Sequence, residues 1–277
     1  MCGRYAASAR PDDLVEAFDI DLDATAEPAR SVLVSPQSPA PGEPDFNMAP
    51  TKQAPVILSR AARGSGSDRP VRQLRHLTWG LVPSWSRDPK VGVRMINARS
   101  ETVLTSKAYA PAARSRRCLV PARGWYEWQA SPAATDTKGR PRKQPFFISS
   151  STSDLIAFAG LYEFWRDEAV EDSADPMAWL TTFTIITTDA DPGLDRIHDR
   201  QPLVLDPVDW ATWLDPSEDA AEIPRLLAFS RAGRFAAYPV SRAVSSSRSN
   251  GPHLLDPAGV EELVGVVDPM TGEIIGA

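Results

Sequence analysis

The chain has 277 residues, of which 42% are hydrophobic and 24% charged, values typical of a folded globular protein and not of a disordered one. No run of apolar residues approaches the 18 needed to cross a membrane, and no basic-then-apolar leader is seen, so we expect a cytoplasmic protein. Cys2 and Cys118 are too few for a disulfide framework, and the three histidines lie far apart, so we expect no structural metal and no cofactor.

The net charge of -6 conceals a strong segregation of charge along the chain. Residues 1–50 carry 3 basic and 9 acidic side chains, residues 51–150 carry 19 and 5, and residues 151–277 carry 8 and 22. Most basic residues of the central third are arginines, whose planar guanidinium pairs with phosphate. The central third therefore indicates a polyanionic partner such as nucleic acid. The alternative is that this third folds against its acidic neighbours.

The first hundred residues predict short strands and one helix. Residues 2–7 are predicted to form a strand, and Pro11, followed by Asp12 and Asp13, predicts the start of a short amphipathic helix. Residues 34–45 are too rich in Pro and Ser for regular structure, so we expect a surface loop. Further strands in this part of the chain are predicted at residues 55–59, 71–81 and 94–98.

The remainder of the chain continues with short strands and scattered helices. Strands are predicted at residues 118–121, 146–149, 155–161, 180–187, 202–205 and 237–240. Helices are predicted at residues 101–113, 192–197, 207–214 and 220–229, and polar hairpin tips or insertions at 63–68, 131–143 and 167–175.

This pattern indicates the α+β class: a single domain built on a mostly antiparallel β-sheet or barrel, with a few short peripheral helices. No strong linker divides the chain. We expect residues 1–256 to form this domain and residues 257–277 to form a loosely attached C-terminal tail.

Cys2 is the most informative single residue. If Met1 is removed, Cys2 carries a free α-amine and a free thiol on one carbon frame. The α-amine has an unperturbed pKa of about 7.8 against about 10.4 for lysine, so far more of it is neutral and nucleophilic at pH 7. Such an amine can form an imine with an aldehyde, and the thiol can then close a durable five-membered thiazolidine ring. Cys118, by contrast, is followed by apolar residues and is expected to be a buried structural thiol.

Short polar-aromatic words recur along the chain and, with the Cys2-Gly-Arg-Tyr start, resemble those of the SRAP family (SOS-response-associated peptidases, or abasic-site processing proteins). The words are Asn47-Met-Ala-Pro-Thr, Trp79-Gly-Leu-Val-Pro-Ser-Trp, Asn97-Ala-Arg-Ser-Glu-Thr, Gly124-Trp-Tyr-Glu-Trp and Ile197-His-Asp-Arg. Each word is weak alone, but they follow the family's order from residue 2 to about 257.

The resemblance implies a function. Members of the family recognise abasic sites in single-stranded DNA and form a thiazolidine crosslink through the N-terminal cysteine after Met1 removal, which shields the lesion. It also implies an associated abasic-site lyase activity and an autoproteolytic, Met1-removing peptidase activity. We therefore expect an enzyme of DNA repair and the SOS response, acting as a monomer, without a membrane, and associated with the nucleoid when bound to DNA.

Matching the family's words residue by residue implies two sets of site residues. The implied catalytic residues are Cys2, Asn97, Glu127 and His198. The implied DNA-binding residues are Arg4, Pro50, Trp79, Arg99, Trp128 and Arg200.

The residue types suit this chemistry independently of the resemblance. His198 titrates near neutral pH and can protonate the sugar oxygen to release the aldehyde. Apolar cover from its neighbours can raise the pKa of Glu127 and let it accept a proton from the Cys2 amine. Asn97 can donate and accept, which suits it to orient Cys2. Each of these residues has a purely structural alternative, and tryptophans are more often core residues than stacking platforms.

Three other functions remain open from the sequence. An N-terminal nucleophile hydrolase of the glutamine amidotransferase type also begins Met-Cys-Gly, but in this chain Arg4 and Tyr5 follow that start, which argues against this class. A peptidase acting on protein substrates would use Cys2 and His198 as a dyad. A non-enzymatic single-strand-binding module would use only the arginines and tryptophans.

Overall fold

The protein folds around two large β-sheets that share one hydrophobic core. A computed structural model describes residues 2–62, 64, 66–153, 155–217, 222–228 and 233–275. Within these residues the strands are β1 Tyr5–Ala7, β2 Leu22–Asp23, β3 Asp45–Met48, β4 Gln53–Ala61, β5 Pro70–Trp79, β6 Asn97–Arg99, β7 Arg117–Ala122, β8 Gly124–Thr135, β9 Pro141–Ser150, β10 Ile156–Arg166, β11 Trp179–Asp189, β12 Arg200–Pro202, β13 Val204–Leu205, β14 Phe235–Pro239, β15 Val266–Val267 and β16 Ile274–Ile275. The helices are α1 Pro11–Ala17, α2 Ala110–Ser115, α3 Trp210–Leu214 and α4 Glu222–Leu227.

Five strands of the larger sheet close into a barrel. Antiparallel pairs run from β5 through β4, β7 and β10 to β11. A parallel pairing of β11 with β5, in which Thr182 lies opposite Thr78, closes the ring. The predicted α+β class, with a mostly antiparallel sheet or barrel and few short helices, is confirmed.

Successive side chains along each barrel strand point alternately into the barrel and toward its outer surface. Val56 and Leu58 of β4 belong to the central core, whereas Ile57 packs outward with residues of α1, α3 and α4. Gly160 points inward, where a Cβ atom would lie 2.9 Å from Cys118 Sγ. Cys118 is fully buried, which confirms the expectation of a structural thiol.

The second sheet has the order β14-β9-β8-β1-β3 and lies against one end of the barrel. Tyr5 and Trp125 on one of its faces join the barrel core, and their rings pack edge-on against Phe158. Tyr126 and Phe147 on the opposite face pack against the C-terminal part of the chain. The residues before β1 therefore lie where the two sheets meet.

Several predicted elements differ in extent from the observed ones. Residues 131–143, predicted to be a hairpin tip or an insertion, form the outer part of a long β8–β9 hairpin whose turn is at residues 136–140. Of the helix predicted at 101–113, only α2 forms, because residues 101–105 adopt turns. Of the helix predicted at 220–229, the ends lie outside the described residues, as do residues 63 and 65 of the predicted hairpin tip. No described helix has the length and apolar character that a membrane crossing requires.

Residues 257–277, expected to be a loosely attached tail, make specific contacts where they are described. Residues 265–275, here called the C-terminal hairpin, contain the paired strands β15 and β16. Val266 is fully buried in the central core, and Ser131 Oγ of β8 donates a hydrogen bond to the Gly265 carbonyl at 2.6 Å. The hairpin therefore packs on β8, in contrast to the loose attachment expected from the sequence.

Candidate active site

Cys2 lies just before β1, in the core between the barrel and the second sheet, and it is fully buried. Its thiol lies 3.8 Å from the Arg4 carbonyl oxygen. Burial raises the pKa of the Cys2 thiol, and the negative charge of Glu127 raises it further, so the thiol is protonated at neutral pH. This coupling also places the Glu127 carboxyl group near Cys2.

Asn97 contacts Cys2 directly. The parallel pairing of β6 with β11 sets Asn97 opposite Ile185 and presents its side chain to the N-terminal segment. Asn97 Nδ2 donates a hydrogen bond to the Cys2 carbonyl at 2.8 Å, and the Tyr109 hydroxyl donates to the Asn97 carbonyl at 3.1 Å. Asn97 Oδ1 is buried and has no hydrogen-bond partner among the described residues. Among the described residues, this acceptor is therefore free for a hydrogen bond from a bound group.

The Glu127 side chain extends from β8 toward Cys2. Because side chains alternate along a strand, Trp125, Glu127 and Gln129 share the face of β8 that looks toward the barrel. Glu127 is 3% exposed, and this burial raises its pKa to about 7, with the nearby negative charge of Asp199 acting in the same direction. Near neutral pH the carboxyl group is therefore poised to take up and release a proton.

His198 follows the short 3₁₀ turn Leu194–Arg196, and its backbone N–H donates to the Leu194 carbonyl at 3.1 Å. Its Nδ1 atom accepts a hydrogen bond from the Arg200 backbone N–H at 3.0 Å and lies 2.9 Å from Asp199 Oδ1. Burial lowers the pKa of His198, so the neutral ring predominates at pH 7. At neutral pH Glu127 is consequently a better proton donor than His198, which was predicted from the sequence to protonate the sugar oxygen.

Two of the predicted DNA-binding residues, Arg4 and Trp128, instead bind the turn at Arg242–Ser245. Arg4 Nη1 donates to Asn47 Oδ1 at 2.7 Å and to the Val244 carbonyl at 2.9 Å. Trp128 Nε1 donates to Ser245 Oγ at 3.0 Å. Trp128 neighbours Glu127 along β8 and therefore points to the opposite face of the sheet, with partly exposed ring surface.

Trp79 and Arg200, both predicted to contact DNA, are largely buried in the structure. Trp79 is fully buried, its Nε1 donates to the Ile96 carbonyl at 2.8 Å, and its ring packs against Tyr5, so no face is open to a base. The Arg200 guanidinium is largely buried between Glu101 and Asp189, at 2.5 and 2.6 Å. These two ion pairs hold the His198 loop to the segment after β6 and compensate the charge of Arg200.

The surface beside Asn97 is both basic and aromatic. The Arg99 side chain is exposed and forms no hydrogen bond or ion pair with any residue that the structure describes, although its charge acts on nearby Glu101. Pro50 is partly exposed. Trp85, in the same sequence word as Trp79, is 66% exposed. Its loop leaves the barrel where the Leu81 N–H donates to the Met95 carbonyl at 3.1 Å, close to Asn97. The turn-forming Pro83 and Ser84 were the signal that would have distinguished Trp85 from the core residue Trp79.

Exposed residues of segment 84–99, here called the basic strip, carry an uneven charge. Its charged side chains are Arg87, Asp88, Lys90, Arg94 and Arg99. No ion pair joins any of these basic residues to the part of the chain that the structure describes. The strip therefore presents uncompensated positive charge next to the candidate active site.

Two cavities lie away from the Cys2 cluster. The larger, of about 1020 Å³, opens at the barrel end that contains Arg60 and Phe164, and the smaller, of about 340 Å³, is lined by Thr78, Trp79 and Trp165. Neither is lined by the four candidate catalytic residues. Within the described ranges no group of three His, Cys, Asp or Glu side chains is arranged to hold a metal ion.

The fold and this arrangement around an N-terminal cysteine define a family, and comparison with known proteins identifies it. The family model "SOS response associated peptidase (SRAP)" matches residues 1–247, and the chain belongs to this family.

Named relatives extend the match to almost the whole chain. The abasic site processing protein YoaM of Bacillus subtilis is 35% identical over 92% of this chain and 98% of its own length. The abasic site processing protein HMCES of Rattus norvegicus is 31% identical over 93% of this chain and 76% of its own length.

Solved structures show the same fold. A protein from Bacteroides thetaiotaomicron, 24% identical, matches with a TM-score of 0.69 over 93% of this chain and all of its own. A phage-related protein from Bordetella bronchiseptica, 30% identical, matches with a TM-score of 0.60 over 90% of this chain and 99% of its own.

Proposed function

We propose that this protein binds abasic sites in single-stranded DNA and forms a covalent thiazolidine crosslink through Cys2 once Met1 has been removed. The observation that carries the proposal is the convergence of Asn97, Glu127 and the His198 loop on one buried N-terminal cysteine. Relatives named abasic site processing proteins supply the substrate class.

The chemistry balances without a cofactor. The neutral α-amine of Cys2 attacks the C1′ aldehyde of the ring-opened sugar, and loss of one water gives an imine. The thiol sulfur then adds to the imine carbon while its proton passes to the nitrogen, which closes the five-membered ring. Intramolecular closure has a high effective molarity, so the ring is much more durable than the imine.

The site residues divide the proton transfers between them. The neutral amine requires a proton acceptor and loss of water requires a donor, and Glu127, with a pKa of about 7, serves as both in succession. His198, which is mainly neutral, takes part in sugar-ring opening through Nε2, the ring nitrogen that Arg200 N–H and Asp199 do not contact. Asn97 fixes the Cys2 backbone so that amine and thiol face the same carbon.

The abasic-site lyase activity follows from the same intermediate. An imine at C1′ acidifies the C2′ proton and permits β-elimination of the 3′ phosphate. Closure of the thiazolidine returns C1′ to a saturated carbon and stops that elimination. The thiol therefore protects the strand that the amine alone would cut.

Removal of Met1 must precede the crosslink, because the Cys2 nitrogen is otherwise an amide. We propose that the Cys2 thiol attacks the carbonyl carbon of Met1, which breaks the Met1-Cys2 amide, frees the Cys2 amine and leaves Met1 as a thioester on the sulfur. Water then hydrolyses the thioester, which releases methionine and restores the thiol, while His198 and Glu127 move the protons. This autoproteolysis is the peptidase activity of the chain. It needs no external protein substrate, in contrast to the general-peptidase alternative.

The basic strip is the proposed track for the DNA backbone. Arg99 and Arg94 offer guanidinium groups to phosphates, and exposed Trp85 offers a ring on which an unpaired base can stack. Single-stranded DNA allows such stacking without disrupting a duplex. We propose that the protein binds as a monomer and associates with the nucleoid through this contact.

A denaturing gel with abasic and intact single-stranded oligonucleotides tests the proposal. Wild-type protein should shift only the abasic oligonucleotide. Cys2→Ser keeps the amine and should give an imine that borohydride traps, but no crosslink that persists without reduction. A persistent crosslink from the serine variant would contradict the thiazolidine step, and non-covalent binding without any crosslink would support the binding-module alternative.

A further inference from the structure

Gln129 of β8 joins three segments of the chain. It lies two residues after Glu127 on the same face and is 2% exposed. Its Nε2 donates to the carbonyl groups of Arg196, at 3.2 Å, and Val267, at 2.9 Å, while its Oε1 accepts from the Val267 N–H at 2.8 Å. One buried amide thus links the Glu127 strand to the turn before His198 and to the C-terminal hairpin.

A second set of contacts joins that turn to the hairpin directly. Arg196 Nη1 donates to the Pro269 carbonyl at 2.7 Å. Gly193 has a φ of +96°, and a Cβ atom there would lie 3.1 Å from Met270 Sδ and 3.3 Å from the Pro269 oxygen. A side chain at Gly193 would therefore strain the backbone and crowd the hairpin. Gly193 therefore permits the close approach of the 191–198 turn and the C-terminal hairpin.

We propose that the C-terminal hairpin positions His198 by holding the 191–198 turn against β8, with Arg196 and Gln129 as the positioning residues. The hairpin lies beyond residues 1–247, the part of the chain that matches the SRAP model. The inference rests on the proposed function only in that His198 acts on the DNA adduct.

The chain also supplies a matched control. Arg142 Nη2 of β9 donates to the carbonyl groups of Glu262, at 2.7 Å, and Val264. These bonds anchor the residues just before the hairpin without touching the 191–198 turn. Loss of Arg142 therefore loosens the tail but leaves the contacts of Gln129 and Arg196 in place.

The test compares Arg196→Met, Arg196→Lys and Arg142→Met at saturating abasic oligonucleotide. Because small displacements of a catalytic group can cost about 10²-fold in rate, Arg196→Met should slow crosslinking by roughly 10- to 100-fold with unchanged affinity for intact DNA. Arg196→Lys, which can still donate to Pro269, should recover most of the rate, and Arg142→Met should stay within about threefold of wild type. Gln129→Met should reproduce the defect of Arg196→Met.

An NMR titration of the His198 ring, assigned with His198→Ala, provides a readout without DNA. Arg196→Met should move the pKa of His198 up toward its ordinary value as the ring becomes more exposed, and Arg142→Met should leave it unchanged. Wild-type rates and an unmoved titration in both Arg196→Met and Gln129→Met would overturn the inference, as would an equal loss in Arg142→Met. Failure of the wild-type protein to crosslink would instead overturn the proposed function. The titration would still test whether the C-terminal hairpin positions His198.

Discussion

The chemistry of the site depends on what burial does to individual residues. A carboxyl group at the surface would be fully ionised at neutral pH, whereas Glu127 is raised to a pKa of about 7 by removal from water. The same burial holds the Cys2 thiol protonated until a reaction partner arrives. Burial thereby lets Glu127 take up and release a proton near pH 7 and keeps the Cys2 thiol protonated until it reacts.

Replacing Glu127 by glutamine should raise the free energy of unfolding above pH 7 and lower the rate of crosslinking. The folded state raises the pKa of Glu127 from about 4.5 to about 7, so it binds a proton more readily than the unfolded chain, and stability from this residue falls as pH rises between those values. Glu127→Gln should therefore be more stable than wild type by up to about 3 kcal/mol above pH 7, with no difference near pH 4. The same variant should crosslink roughly 10²–10⁴-fold more slowly.

Chemical unfolding at pH 5 and pH 8 measures this difference. Glu261→Gln, at an exposed position, is the control and should change stability equally at both pH values. A Glu127→Gln variant that is destabilised at pH 8, or that crosslinks at the wild-type rate, would return Glu127 to a structural role.

At the scale of elements, one buried side chain terminates two helices. The Arg117 guanidinium donates to the carbonyl groups of Ala113 and Arg114 at the end of α2, and to those of Trp213 and Asp215 at the end of α3. Arg117 is 2% exposed. It satisfies helix-end carbonyls that would otherwise be buried without donors, and its positive charge suits both helix C-termini.

Arg117→Met should destabilise the protein by about 3 kcal/mol, because it leaves several buried carbonyls unsatisfied. Arg117→Lys should cost nearly as much, since an ammonium group cannot reach both helices in the planar geometry of a guanidinium. Exposed Arg114→Met is the control and should change stability by less than about 0.5 kcal/mol. Urea denaturation gives all three values, and a wild-type midpoint for Arg117→Lys would contradict the capping role.

Particular elements show how far the sequence predicts this fold. The barrel strands were recognisable because residues such as Val56, Ile57 and Leu58 form dense β-branched and apolar runs. β8 was not predicted as a strand, and residues 131–143 were predicted only as a hairpin tip or insertion, because the outer faces of this hairpin carry turn-forming and charged residues. The helix predicted from residue 101 failed at Thr102, Val103 and Thr105, whose side chains disfavour helix, and α2 begins only at Ala110 before Pro111.

The site could be predicted in composition but not in geometry. The sequence words supplied Cys2, Asn97, Glu127 and His198, but only the fold shows which of them touch. Trp79 and Trp85 occur in one word, yet the first ends a barrel strand inside the core and the second lies on a loop. Solvent exposure of this kind is set by tertiary packing, which a local motif does not encode.

At the scale of the whole molecule, the segregated charge serves two purposes. Part of the basic third pairs with the acidic flanks, as in Lys52 with Asp45 and Arg116 with Glu163, both at 2.7 Å. The basic strip remains uncompensated among the described residues. Neutralisation elsewhere therefore focuses positive potential beside Cys2.

Binding of intact single-stranded DNA should consequently weaken with salt. The log–log slope is about -0.7 per phosphate contacted, so about four contacts give a slope near -3. Arg99→Ala should weaken binding for every sequence and reduce the slope by about 0.7, while crosslinking at saturating DNA continues. Arg225→Ala removes the same charge from α4, outside the basic strip, where Arg225 pairs with Asp209 and Glu222, and should leave the slope unchanged. If the affinity for DNA did not change with salt, the basic strip would be solvated surface that does not contact phosphates.

The most direct test of the account is the intact mass of the product formed with an abasic oligonucleotide. The account predicts one adduct whose mass equals the chain without Met1 plus the oligonucleotide less one water, with the link mapped to Cys2 after proteolysis. It also predicts that this adduct survives without borohydride. An adduct that retains Met1, a link mapped to a lysine, or no adduct from a folded wild-type protein would contradict the central claim.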